Sequence, residues 1–109
     1  MAKQITFEFE GKKYVLEFTR KSIETMEKQG FIASDIVEKP VSTLPALFAG
    51  AFLAHHRNVK REVIDKIFDK LTNKQELISK LAEMYNEPIM ALLDEPSEDE
   101  GNLNWGANW

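Results

Sequence analysis

The stretch VSTLPALFAGAFLAHH, Val41 to His56, decides how this chain folds. Read at 3.6 residues per turn, it places Leu44, Leu47, Phe48, Ala51, Phe52 and His55 on one face, the i, i+3, i+4 spacing of a buried helical stripe. The opposite face carries Ala46, Ala49, Gly50, Leu53 and Ala54, so no charged side chain falls between Thr43 and His55. A helix that is apolar all round must be covered all round. The cover is either the rest of a small domain or a second copy of the chain, and periodicity leaves both open. The run is too short for a membrane span, which needs about 20 apolar residues. A helix starting near Val41 or Ser42 puts Pro45 in the first turn, where its missing N–H has no helical partner, with Ser42 or Thr43 as the cap.

Upstream, Ile5 to Phe18 has the period of two that marks a hairpin. Ile5, Phe7 and Phe9 alternate with Thr6, Glu8 and Glu10; after Gly11-Lys12, Tyr14, Leu16 and Phe18 alternate with Lys13, Val15 and Glu17. Gly11 supplies the positive φ of a tight reversal. Val15 breaks the polar side of the second strand and leaves its inward face open. An isolated hairpin is marginal in water, so helices must cover its aromatic face. Thr19 caps a short helix, Arg20 to Gln29, with Ile23 and Met26 inward and Gly30 in the C′ position. Ser34 to Lys39 adds one further turn, ended by Pro40.

Downstream, Asn58 to Lys70 is expected to be a one-sided surface helix, with Val63, Ile64, Ile67, Phe68 and Leu71 inward. Thr72 or Asn73 caps the next, striped by Leu77, Ile78, Leu81 and Tyr85. Pro88 clashes with the carbonyl of Met84 in a continuous helix, which predicts a kink or restart near Asn86. Ile89, Met90, Leu92 and Leu93 then form a last apolar turn that ends the core. The predicted architecture is α+β: an N-terminal β-hairpin packed on about four helices over residues 1–93. The core is expected to hold Phe7, Phe9, Tyr14, Leu16 or Val15, Phe48, Phe52, Ile64, Phe68, Leu81 and Tyr85. A flexible acidic tail follows over 94–109. The tail contains both tryptophans of the chain, Trp105 and Trp109, together with Leu103.

At 109 residues the chain holds one core with a small margin. It has no cysteine, hence no disulfide, thiolate ligand or thiol nucleophile. Met1-Ala2-Lys3 runs straight into the strand pattern without an apolar signal core, which argues against secretion. The net charge of −4 is unevenly spread. Asp94, Glu95, Glu98, Asp99 and Glu100 face no base in the tail, while the body carries 14 bases against 13 acids. A nearly neutral body with an acidic tail lacks the basic footprint of phosphate recognition, so no nucleic acid partner is expected.

Catalytic chemistry finds no pattern to rest on. His55 and His56 are adjacent, so on a helix they point about 100° apart, and their i+4 partners, Val59 and Lys60, are not ligands. They read as helix-end residues near the C-terminal dipole. No triad order, phosphate-cradling glycine loop or paired acids in an apolar setting is present. Neither an enzyme nor a metal or organic cofactor is expected. The surface expected to meet a protein partner is the apolar helix, through Leu47, Phe48 and Phe52, together with Leu103, Trp105 and Trp109.

The hairpin leading into FTRKSIETMEKQGF, then KPVSTLPALFAGAFLAHHRNVKREVIDKIFDKL, then ELISKLAEMY, resembles the small tail assembly chaperones of long-tailed bacteriophages and prophages of Gram-positive hosts. The likeness covers roughly residues 3 to 93 and is most specific from Pro40 to His56. It implies a non-catalytic protein of the host cytoplasm that coats the tape measure protein and helps recruit tail tube subunits. Such a protein leaves before the virion is complete. This chain would be the short form of a pair whose longer member arises by translational frameshift, with the two forms diverging in the tail. Self-association into homo-oligomers is also expected, because so apolar a central helix exceeds what a small domain readily hides. An adaptor of phage origin that binds through its tryptophan-bearing tail is the rival reading.

Overall fold

In a computed structural model, residues 3–94 and 103–109 are described, and they form an α+β fold. A two-stranded antiparallel hairpin, β1 (Ile5–Phe9) and β2 (Lys12–Leu16), precedes five helices. These are α1 (Arg20–Lys28), α2 (Asp35–Glu38), α3 (Pro40–Gly50), α4 (Arg61–Lys70) and α5 (Lys74–Ala91).

The hairpin register pairs Ile5 with Leu16, Phe7 with Tyr14 and Phe9 with Lys12. Tyr14 and Leu16 are buried, so the second strand turns its aromatic side inward and Val15 lies on the other face. Phe7 and Phe9 are only partly buried and pack against the core. The reversal is made by Glu10 and Gly11, both at positive φ (50° and 79°), as the right-handed strand twist favours in two-residue hairpins. Glycine takes this conformation freely and Glu10 does not.

Thr19 and Ser22 close a reciprocal cap on α1. The Thr19 hydroxyl accepts the Ser22 N–H at 3.0 Å, and Ser22 Oγ accepts the Thr19 N–H at 2.8 Å. At the other end Gly30 has φ 94°, and Phe31 N–H donates to the Met26 carbonyl, the glycine stop that the sequence announces.

The central helix departs from its expected span at both ends. It begins at Pro40, with no side-chain cap. A proline at the first helical position has φ pre-set for the helix, and it draws the start upstream of Ser42. Pro45 therefore lies inside α3 rather than in its first turn. The helix stops at Gly50, and Ala51 to His55 continue as tight turns: Phe52 N–H donates to Ala49 and Leu53 N–H to Gly50. The cause is tertiary. The Ala51 carbonyl accepts the Glu17 N–H at 3.0 Å, giving to the edge of β2 an acceptor that a continuing helix would use itself. Met26 also packs so close over Gly50 that a β-carbon there would overlap its thioether.

The chain itself supplies most of the cover that the apolar stretch needs. Leu47, Phe48, Ala51 and Phe52 are buried among β2, α1, α4 and α5 residues, with Phe48 and Phe52 in edge contact at 5.2 Å and Tyr14 on Phe52 at 5.8 Å. The start of α3 is not covered: Val41 is 88% exposed. Ile64, Leu81 and Tyr85 are buried as expected, and Phe68 is partly so.

Three expectations for the C-terminal helices fail. First, α4 begins at Arg61 rather than Asn58, because Arg57 to Lys60 are used in turning away from the hairpin edge. Second, of the kink or restart expected near Asn86 the restart does not occur: α5 runs as one helix from Lys74 through Pro88 to Ala91. Phe18 and Phe31 hold Tyr85 edge-on at 5.4 and 5.7 Å, which fixes the turn before the proline against α1. Asn73 occupies the cap position in the left-handed region, φ 55°, and makes no side-chain cap bond. Lys74 instead reaches back to the Leu71 carbonyl at 2.6 Å and closes the end of α4. Third, Ile89, Met90, Leu92 and Leu93 do not end the core: all four are exposed, Leu93 by 84%. Ile89 and Leu92 only wall an open groove beside α1.

The expected flexibility of the tail falls in large part on residues 95–102, which lie outside the described residues. Residues 103–109 carry no regular secondary structure. No helix among the described residues is long and apolar enough to cross a membrane.

Candidate functional site

The six residues expected to bind a partner divide into two groups. Leu47, Phe48 and Phe52 are essentially inaccessible, inside the chain's own core, and offer no surface while the domain stays folded. Leu103, Trp105 and Trp109 are 98%, 86% and 103% exposed. Burial of the first group follows from the hairpin and α5 closing over α3, which helical periodicity cannot reveal.

The adjacent histidines have a role that the sequence hides. Because α3 stops at Gly50, His55 and His56 leave in a turn, and both face β2. His56 Nε2 accepts the Val15 N–H at 2.9 Å, and His55 Nε2 meets Glu17 Oε1 at 2.6 Å. Gln4 Nε2 also donates to Glu17 Oε1, at 3.1 Å. Together with the Glu17 N–H to Ala51 carbonyl bond, these contacts cover the edge of β2 that faces away from β1, a row of donors that would otherwise stand open.

The acceptor role fixes the chemistry of His56. An imidazole accepts through a ring nitrogen only when that nitrogen carries no proton. The bond from Val15 therefore exists with His56 neutral and its other nitrogen protonated. Burial, then the charges of Lys12 and His55, push the His56 pKa below its ordinary value, which keeps it neutral. Glu17 is held below the usual carboxylate range, chiefly by its hydrogen bond to His55 and less by Gln4. The only sequence signal for this latch is the adjacency of two histidines just beyond an apolar helix, and it names no partner.

Beside the latch lies an open cleft of about 420 Å³, lined by Lys12, Tyr14, His55, His56, Arg57, Asn58, Val59, Lys60 and Val63. It is cationic on an apolar floor, with Lys12 Nζ 5.3 Å from the centre of the Tyr14 ring. Among the described residues no acidic side chain lines it. A larger groove of about 560 Å³ runs between the end of α1, α2 and α3, and includes Phe31, Ile32, Asp35, Lys39, Ala46 and Arg61. A third, of about 310 Å³, separates α1 from the end of α5, with Ile23, Pro88, Ile89 and Leu92 among its walls. Among the described residues no cluster of three or more His, Asp or Glu is placed to hold a metal ion.

Compared with known proteins, the chain belongs to the DUF5055 family, a domain of unknown function whose family model matches residues 1–109. No curated protein and no solved structure matches it.

Proposed function

We propose that this DUF5055 protein is a non-catalytic tail assembly chaperone of a long-tailed phage or prophage, which binds the tape measure protein in the host cytoplasm and helps recruit tail tube subunits. The observation that carries the reading is the uncovered apolar end of α5. Ile89, Met90, Leu92 and Leu93 are exposed on one helix end, beside the α1–α5 groove walled by Ile23 and Pro88. A monomer seldom leaves contiguous large apolar side chains bare unless something covers them. A groove flanked by such side chains suits an amphipathic helix laid in by its apolar face, and a tape measure protein is a long helical cargo. The resemblance over residues 3 to 93 supplies the identity of that cargo.

Co-expression with the large helical protein encoded beside this chain in its own gene cluster tests the proposal. The expected result is soluble recovery of that protein as a complex that survives moderate salt, since apolar contacts are not screened. If the large protein stays insoluble with or without this chain, the reading is overturned.

The exposure of Leu103, Trp105 and Trp109 favours a second reading, an adaptor that engages its partner through the tail. Removing residues 94–109 separates the two. A chaperone that uses the α5 end keeps its cargo, and an adaptor loses its partner.

A further inference from the structure

We propose that the cationic cleft at the hairpin edge is the docking site for the acidic, tryptophan-bearing C-terminal segment of a second copy of this chain. The inference does not depend on the cargo reading, because it concerns the protein alone.

The argument starts from charge. Lys12, Arg57 and Lys60 stand together around the cleft, and none is paired with a carboxylate among the described residues. Glu17, the carboxylate that His55 on the cleft wall contacts, is also engaged by Gln4. Asp94 to Glu100 brings five acids with no base, the strongest concentration of charge in a chain of net −4. The largest acidic run and an unneutralised cationic cleft thus belong to the same molecule.

Apolar chemistry matches as well. The cleft floor is Tyr14, Val59 and Val63. An indole carried in behind the acids fits such a floor, and its face suits the lysine and arginine groups on the rim. Individually, exposed ion pairs are weak. Several of them combined with the burial of an indole are not.

The occupant comes from another copy. In the single chain Leu103, Trp105 and Trp109 touch almost nothing of their own body. Trp109 lies fifteen positions beyond Asp94, a reach of about 50 Å when extended, enough to cross to a neighbour. Reciprocal exchange closes a two-fold dimer, in which each tail fills the other's cleft and the second contact forms within the assembled pair.

Trp105 and Trp109 are the only tryptophans, so indole emission of the full-length protein reports the tail alone. Emission should move to shorter wavelength as protein concentration rises at low salt, and return toward that of solvated indole on dilution or on adding salt. The charge-reversed variant Lys12→Glu, Arg57→Glu, Lys60→Glu, altered only at exposed or rim positions, should show no such shift alone. Mixed with a Trp105→Phe, Trp109→Phe chain, whose cleft is intact, it should regain the shift.

Three results would each overturn the proposal. These are emission that stays that of solvated indole up to high micromolar concentration, a shift already complete at the lowest concentration and unmoved by dilution, and a shift that persists in the charge-reversed chain alone. The wild-type dilution and salt series decides the matter by itself if the triple variant does not fold. Recovery of the large helical protein in co-expression would be unaffected by any of these results, so the two proposals fail separately.

Discussion

Two apolar regions of this protein meet opposite fates. Leu47 to Phe52, in α3 and the turn after it, is shut inside the domain by the hairpin, α1, α4 and α5. Ile89 to Leu93, at the end of α5, has the same kind of side chains and lies open to solvent. Hydropathy does not distinguish them. What differs is position: α3 lies in the middle of the chain, with elements on both sides to fold back over it. Among the described residues no helix or strand follows the end of α5. An apolar pattern therefore states that a surface seeks cover, and topology decides whether the chain can provide it.

The sharpest way to break this contrast is Phe52→Ala. Deleting a fully buried aromatic side chain costs on the order of 3 to 5 kcal/mol. Because Phe52 is enclosed by its own chain, the loss should be the same at low and high protein concentration in chemical denaturation. A loss that fades as concentration rises would place Phe52 in a subunit interface, and the two regions would then be alike.

A middle-sized effect lies at the latch that joins the buried region to the hairpin. The folded state holds the His56 pKa down, so the unfolded chain takes up a proton near pH 6.5 while the native protein resists it. The stabilisation is thus present above that pH and lost as pH falls through it. Glu17, also lowered, adds a contribution present above the ordinary glutamate value and lost on further acidification. In His56→Gln, the fall in stability between about pH 7 and pH 5 should flatten, and at pH 7 the net loss should be about 0.5 to 1.5 kcal/mol, that of one hydrogen bond. Equilibrium denaturation across that range measures both, and an unchanged slope would show that His56 does not titrate against the fold.

The smallest effect belongs to the open region. Leu93→Ser should change stability by no more than about 0.5 kcal/mol, as for surface substitutions generally, since Leu93 is 84% exposed. Its consequence should appear instead as weaker retention of the helical cargo in co-expression. A large drop in melting temperature would mean that the end of α5 is covered in solution.

The sequence alone determined the α+β class, the hairpin, the Thr19 and Gly30 stops, and the identity of most core residues, while the inward face of the second strand was settled only by the burial of Tyr14 and Leu16. The former follow from local rules: strand alternation, helical spacing and cap chemistry act over a few residues and need no knowledge of neighbours. It did not determine where α3 ends, that α5 runs through Pro88, or which apolar runs remain bare. The Ala51 carbonyl is taken by Glu17, Met26 fills the space over Gly50, and Tyr85 is held between Phe18 and Phe31, each a contact between residues distant in the chain. The same holds for the candidate site. His55, His56, Lys12, Arg57 and Lys60 are spread over two segments more than 40 residues apart, and only the docking of the post-helix turn on β2 brings them to one edge, as in the Val15 to His56 bond. Hydrogen bonds and packing between such segments depend on where the whole chain closes, which no local pattern encodes.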